Sequence, residues 1–139
     1  MKIVTADVQI DAPPAAVWAV LTDLGHYPDW NPLFREASGQ VAAGERITLR
    51  AVNPANGRLM TVKAKITTVD PAIELRWESS LPGLMSGEHS FLLAEQHGGT
   101  HLTQTEIYKG LLAATISVPR TETTFQSLND ALKHRAETP

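Results

Sequence analysis

The segment LMSGEHSFLLAEQHGGTHLTQTEIYKG, Leu84 to Gly110, decides the fold. Two long runs alternate apolar and polar residues on either side of Gly98-Gly99. That pattern predicts an antiparallel hairpin. One face carries His89, Phe91, Leu93, Leu102, Gln104, Glu106 and Tyr108. A dry core does not mix a His, a Gln and a Glu with large apolar groups. The wall of a cavity with a partly polar occupant does. Counted from a turn at Gly98-Gly99, Phe91 falls opposite Glu106 and His89 opposite Tyr108. His89 and Glu106 are then diagonal neighbours within side-chain reach. A slip of one residue would turn Glu88, Ser90 and Leu92 inward instead. Phe91 and Leu93 beside His89 favour the first register.

Upstream of the hairpin, strand signals dominate. Ile73, Leu75 and Trp77 alternate with Glu74, Arg76 and Glu78, before Pro82-Gly83 breaks the run. Residues 59–69 place Met60, Val62, Ala64 and Ile66 inward and Thr61, Lys63, Lys65 and Thr67 outward. Asn56-Gly57 is a strong reversal signal between them and a strand over residues 45–52, which carries Ile47, Leu49 and Ala51 on one face. A short strand is predicted from Phe34 to Val41. Residues 26–33, HYPDWNPL, read as a loop or one irregular turn. DAPPAAVWAVLTDLG predicts a helix of about three turns. Asp11 is its expected N-cap, Pro13 and Pro14 fill the first turn, and Gly25 is its expected C-cap. Residues 2–10 alternate as a first strand. Downstream, LLAATISV reads as a short helical turn or loop. Pro119 then opens a long amphipathic helix reaching Glu137, with Phe125, Leu128 and Leu132 on one face. One long helix is thus available to cover the apolar face of a curved antiparallel meander.

Composition narrows the function classes. The 139 residues suit a single domain spanning 1–139, with 42% hydrophobic and 19% charged residues. A net charge of −3 argues against nucleic acid as partner. No cysteine is present, which excludes disulfides and thiolate chemistry. The first ten residues alternate rather than forming a signal-peptide core, and no window suggests integral membrane association. A cytoplasmic protein is expected.

Three stretches together resemble the helix-grip, START-like superfamily, which includes the major birch pollen allergen, lipid-transfer START domains and polyketide cyclases. They are IDAPPAAVWAVLTDLGHYPDWNPL, LRWESSLPGLMSGEHSFLL and LTQTEIYKGLL with the long helix after it. Together, with Gly-x-His-x-Phe at Gly87, His89 and Phe91 in the sixth strand, they look like the bacterial polyketide cyclase/dehydrase-like branch. The resemblance implies an α+β helix-grip fold. A curved seven-stranded antiparallel sheet would wrap around a long C-terminal helix, with a shorter helix after strand one. It also implies a hydrophobic cavity, used by different members to bind, transfer or cyclise.

The candidate ligand-binding residues follow from that frame. Trp77 would form an aromatic wall, Leu49, Met60 and Val62 the far wall, and Phe125 and Leu128 the closing helix. Trp30, with Phe34, would sit by the mouth, either as a gate or as a plug that anchors the loop. Asn31 is expected to bond the turn backbone. His89 and Glu106 are open to three readings: an acid/base couple, a polar contact for a ligand, or structural satisfaction in which Glu106 bonds Tyr108 or a buried water. No metal site is expected, because His97 and His101 flank a turn rather than a helix face. No phosphate loop or catalytic triad is evident, and no cofactor is expected. Three functions compete: a carrier or sensor of a small lipid-, aromatic- or polyketide-like molecule; a cyclase, aromatase or dehydratase using His89 and Glu106; and an interaction module with a vestigial cavity. The sequence leaves monomer and dimer equally open.

Overall fold

The computed structural model describes residues 1–138. Its elements are β1 (Lys2–Ile10), α1 (Pro14–Thr22), a 3-10 turn (Leu24–Asp29), β2 (Phe34–Gly39), β3 (Arg46–Val52), β4 (Leu59–Asp70), β5 (Glu74–Leu81), β6 (Met85–Gln96), β7 (Gly99–Lys109), a second 3-10 turn (Leu111–Thr115) and α2 (Val118–Glu137). The seven strands form one antiparallel sheet in the order β1-β7-β6-β5-β4-β3-β2. This is the helix-grip architecture the sequence predicts.

Period-two alternation drives the sheet. Ile47, Leu49 and Ala51 of β3 are buried, as are Leu75 and Trp77 of β5 and His89, Phe91 and Leu93 of β6. They face α2, whose Phe125, Leu128 and Leu132 are all buried. Removing three such side chains from water contributes roughly 1.5–3 kcal/mol each. Ser117 caps α2, its side chain accepting from the Arg120 N–H, and a proline occupies the first turn as expected.

Several boundaries differ from expectation. The first helix starts at Pro14 with Pro13 as N-cap and no side-chain cap bond. The Asp11 N–H instead donates to Glu137 Oε2 at 2.7 Å, tying the exit of β1 to the end of α2. The helix ends on Asp23 rather than Gly25, because the chain tightens at once into the 3-10 turn. That turn buries Tyr27, whose hydroxyl donates to the Leu21 carbonyl. Asn31 behaves as expected, its Oδ1 accepting from the N–H groups of Leu33 and Phe34 at 3.0 and 2.8 Å. Ile73 stays outside β5 and is exposed.

The β6–β7 turn corrects the register. The two turn residues are His97 and Gly98, both at positive φ (54° and 76°), and Gln96 pairs with Gly99. Positive φ at both central residues is what a tight two-residue hairpin needs. Asn and His tolerate that conformation better than most side chains, so His97 takes the place given to a second glycine. Moving the turn by one residue moves each cross-strand pair by two. Phe91 therefore faces Gln104, His89 faces Glu106 and Gly87 faces Tyr108. An even shift leaves every side chain on its expected face, and the inward set is the predicted one.

The sheet also forks. Pairing of β4 with β5 runs from Asp70–Glu74 to Lys65–Glu78, with a bulge between Ile66 and Thr68, and stops there. Beyond Lys65, β4 continues to Leu59 paired only with β3. Beyond Glu78, β5 continues to Leu81 paired only with β6.

Candidate functional site

A cavity of about 390 Å³ lies between the concave sheet and the first half of α2. Nine of the expected residues line it: Phe34, Leu49, Met60, Val62, Trp77, His89, Glu106, Tyr108 and Phe125. Met60 is 41% exposed and sits at the rim rather than the far wall. Phe91, Gln104 and Leu128 do not reach it. They pack solidly one layer beneath, where each is fully buried. The cavity therefore ends on His89. Trp30 is not on the wall either. It packs edge-to-face on Tyr27 with ring centroids 5.3 Å apart. Its neighbour Asp29 approaches Arg135 near the end of α2, about 15 Å of helix rise from Phe125. Of the two readings for Trp30, the anchor fits the geometry and the gate does not.

Sequence reading missed Leu33, Ala51, Ser79, Leu81, Met85 and Gly87, which also contribute wall. Strict alternation would have found five of them, since they share faces with Leu49, Trp77 and His89. Leu33 carries no such signal; the Asn31 turn places it.

The floor is a chain of hydrogen bonds. His89 Nδ1 contacts Glu106 Oε2, and His89 Nε2 lies 2.9 Å from Gln104 Oε1. Gln104 Nε2 donates to the Phe125 carbonyl at 3.2 Å and to Asn129 Oδ1 at 2.8 Å. The Phe125 carbonyl can only accept, so it fixes the orientation of the Gln104 amide. Gln104 Oε1 must then accept, and His89 Nε2 must carry a hydrogen. A second proton is needed between Nδ1 and the carboxylate. It makes either imidazolium with carboxylate or imidazole with carboxylic acid, and the pair has no net charge in both cases. Four aromatic rings enclose the imidazole. Trp77 stacks on it at 5.4 Å and 14°, and Phe34, Phe91 and Phe125 meet it at 5.0–5.4 Å.

Both histidine nitrogens are thus used inside the protein. What the floor offers a guest is Glu106 Oε1, the Tyr108 hydroxyl and the Trp77 indole N–H. All three residues line the cavity, and among the described residues none of these atoms has a hydrogen-bond partner. Gly87 makes room for the carboxylate: a Cβ there would lie 2.6 Å from Glu106 Oε1. Gly87→Ala should push the flexible Glu106 side chain aside and separate it from His89, at about 1–3 kcal/mol for the imidazole nitrogen left without its partner. The His89 imidazole resonances, followed by NMR, should shift by a large amount; unchanged resonances would contradict the arrangement.

Burial, and after it the Glu106 carboxylate, pushes the Tyr108 phenol far above its ordinary range; burial and then Asp23 do the same for Tyr27. These are the only two tyrosines. A raised folded pKa means the folded state holds the proton after the unfolded chain has lost it. Stability is therefore complete below about pH 10 and falls above it, by up to about 1.4 kcal/mol per pH unit for fully buried Tyr27 and less for Tyr108. Tyrosinate absorbance should appear together with unfolding. Reversible ionisation near pH 10 in the folded protein would refute this.

No metal-binding group of three or more His, Cys, Asp or Glu occurs among the described residues. No helix among them is long and apolar enough to cross a membrane.

A curled sheet gripping a C-terminal helix over an apolar cavity with a polar floor defines a helix-grip protein of the ligand-binding type. The chain belongs to the family described as polyketide cyclase / dehydrase and lipid transport, which it matches over residues 1–137. Among solved structures it is similar to a Thermus thermophilus protein, TTHA0849 (19% identity, TM-score 0.77, 97% of each chain covered). It is also similar to Ara h 8.0201 (15%, 0.74, 99% of each chain). A third is BexL, the di-domain ARO/CYC of the BE-7585A biosynthetic pathway (20%, 0.76), of which it covers 48% with 100% of its own length. At these identities the likeness is one of fold. No curated protein matches the chain by sequence.

Proposed function

We propose that the protein is a cytoplasmic carrier or sensor that binds a small, largely apolar molecule carrying a hydroxyl or enol group. One observation carries this reading: an open apolar cavity ends on a floor where Glu106 Oε1 is a free acceptor beside two free donors. A guest hydroxyl would donate to Glu106. A guest carbonyl would accept from Tyr108 or Trp77. Apolar burial supplies most of the affinity, and the polar floor sets orientation.

The reading is tested with 2-naphthol and 2-methoxynaphthalene, followed by a panel of fatty acids, flavonoids, sterols and aromatic polyketides. A true ligand at about a hundred times its Kd stabilises the fold by roughly 2.7 kcal/mol, a clear rise in Tm. Glu106→Ala should weaken the naphthol by about 5- to 100-fold and the methyl ether little, since a hydrogen bond contributes about 1 kcal/mol to a neutral carboxyl and about 1.5–3 kcal/mol to a carboxylate. Val62→Phe, which fills the cavity from a half-buried wall position, should abolish both. Failure of the whole panel to shift Tm would end this reading.

A second reading is favoured by the Glu106–His89–Gln104 line. The protein would be a cyclase, aromatase or dehydratase in which Glu106 removes or returns a proton at the substrate. His89, with neither nitrogen free, would be a positioning and proton-sharing residue rather than one that touches substrate. Turnover lost in Glu106→Gln with ligand affinity retained would select this reading over the carrier. An open cavity of this size weighs against a purely vestigial one.

A further inference from the structure

The fork in the sheet joins two cavities. On the convex side, a groove of about 640 Å³ includes Arg46, Lys63, Lys65 and Lys109. It shares Lys63, Ser79, Ser80 and Gly87 with the ligand cavity on the concave side. Paired strands lie about 4.8 Å apart and their hydrogen bonds seal a sheet. Here β4 and β5 part after Lys65–Glu78, with Lys63 on one side of the gap and Ser79 and Ser80 on the other. Gly87 lies one strand further on, opposite Ser79.

The charge around this gap is unusual for the chain. The protein carries −3 overall, yet its outer mouth collects cations. Arg46 and Lys65 are direct cross-strand partners, and Lys63 lies two residues along the same face. Like charges placed opposite each other cost stability. Among the described residues, none of these four cations has a carboxylate within ion-pair distance. Two carboxylates line the groove. Glu88 is held by Arg76 at 2.8 Å, which leaves Glu78 against four cations.

We propose that the fork is a side window for the anionic group, a carboxylate or a phosphate, of an amphiphile whose apolar body fills the cavity. Lys63, common to both spaces, is the first cation that group meets, with Ser79 and Ser80 as hydroxyl donors beside it. The inference rests on the ligand-binding reading above and names the class of ligand.

The probes are dodecanoate, dodecyl phosphate and uncharged methyl dodecanoate, titrated into the intact protein at low and high salt. At least one anion should bind about tenfold tighter than the ester at low salt, as a charge-assisted hydrogen bond provides, and the stronger anion identifies the group. The preference should shrink at high salt, vanish in Lys63→Met and reverse in Lys63→Glu, with ester affinity unchanged throughout. Equal binding of anions and ester, or a preference that survives Lys63→Met, overturns the window and leaves the cavity reading intact. If no probe binds, the window is overturned, and the cavity reading then stands or falls on the wider ligand panel.

Discussion

His89→Leu is expected to destabilise the protein by about 3–5 kcal/mol, because it removes one member of a buried polar chain and strands the others. Leucine fills much of the same space, so packing loss is small. What remains is Gln104 Oε1 with no donor and a Glu106 carboxyl without its proton-sharing partner. His89 and Gln104 are both almost wholly buried, so solvent cannot replace the donor that Gln104 loses. The corresponding fall in Tm is roughly 10–20 °C for a chain of this length. Glu106→Leu alone should cost less, because that side chain is 14% exposed and the cavity admits solvent. The double variant should cost clearly less than the two singles added together, since the second change removes a group the first had already orphaned. A urea-denaturation cycle checks this. Additivity within about 0.5 kcal/mol would show that the two residues are not coupled.

Gly99→Ala is expected to cost about 3 kcal/mol or more, comparable to severe overpacking. The added Cβ would lie 2.2 Å from the Ile10 carbonyl oxygen and 3.4 Å from Asp11 Cα, both backbone atoms. Nothing flexible is available to move. The close approach occurs where the chain leaves β1 while Thr100, next along, donates its hydroxyl to the Ala12 carbonyl at 2.7 Å. Gly98→Ala is the matched control. It has open space around it but sits at φ 76°, so it should lose only about 1 kcal/mol from strain. Equal losses at the two positions would show that backbone conformation, not the contact with β1, makes Gly99 necessary.

Most of the fold could be read from alternation, because a one-sided sheet writes its buried face into every second residue. The faces of β3, β5, β6 and β7 all came out as expected. The pairing of His89 with Glu106 did not, although the two were expected within reach. A turn of His97-Gly98 and a turn of Gly98-Gly99 differ by one residue, and only the backbone angles at His97 separate them. Depth was also hidden. Phe91, Gln104 and Leu128 lie on the expected face but below the cavity floor, and face alone says nothing of position along the strand. Trp30, expected at the mouth as gate or anchor, packs as an anchor because its segment winds into a turn at the far end of α2. The fork between β4 and β5 had no sequence signal, since Lys63 reads as an ordinary outward residue.

The pairing of β1 with β7 has a consequence for biosynthesis. Lys2 lies opposite Tyr108 and Ile10 opposite Thr100. Of the seven strands of this sheet, the first to leave the ribosome is therefore completed by the last. At ordinary translation speed β1 waits on the order of ten seconds for its neighbour. Until then Val4, Ala6 and Ile10, buried in the finished protein, have no sheet to join. Closing a loop of roughly 100 residues is the slow, entropically opposed step of such a topology. The nascent chain should thus depend on early holding of its first ten residues. Synonymous changes that slow translation between β1 and β7 should lower the yield of folded protein more than equal delays placed after β7.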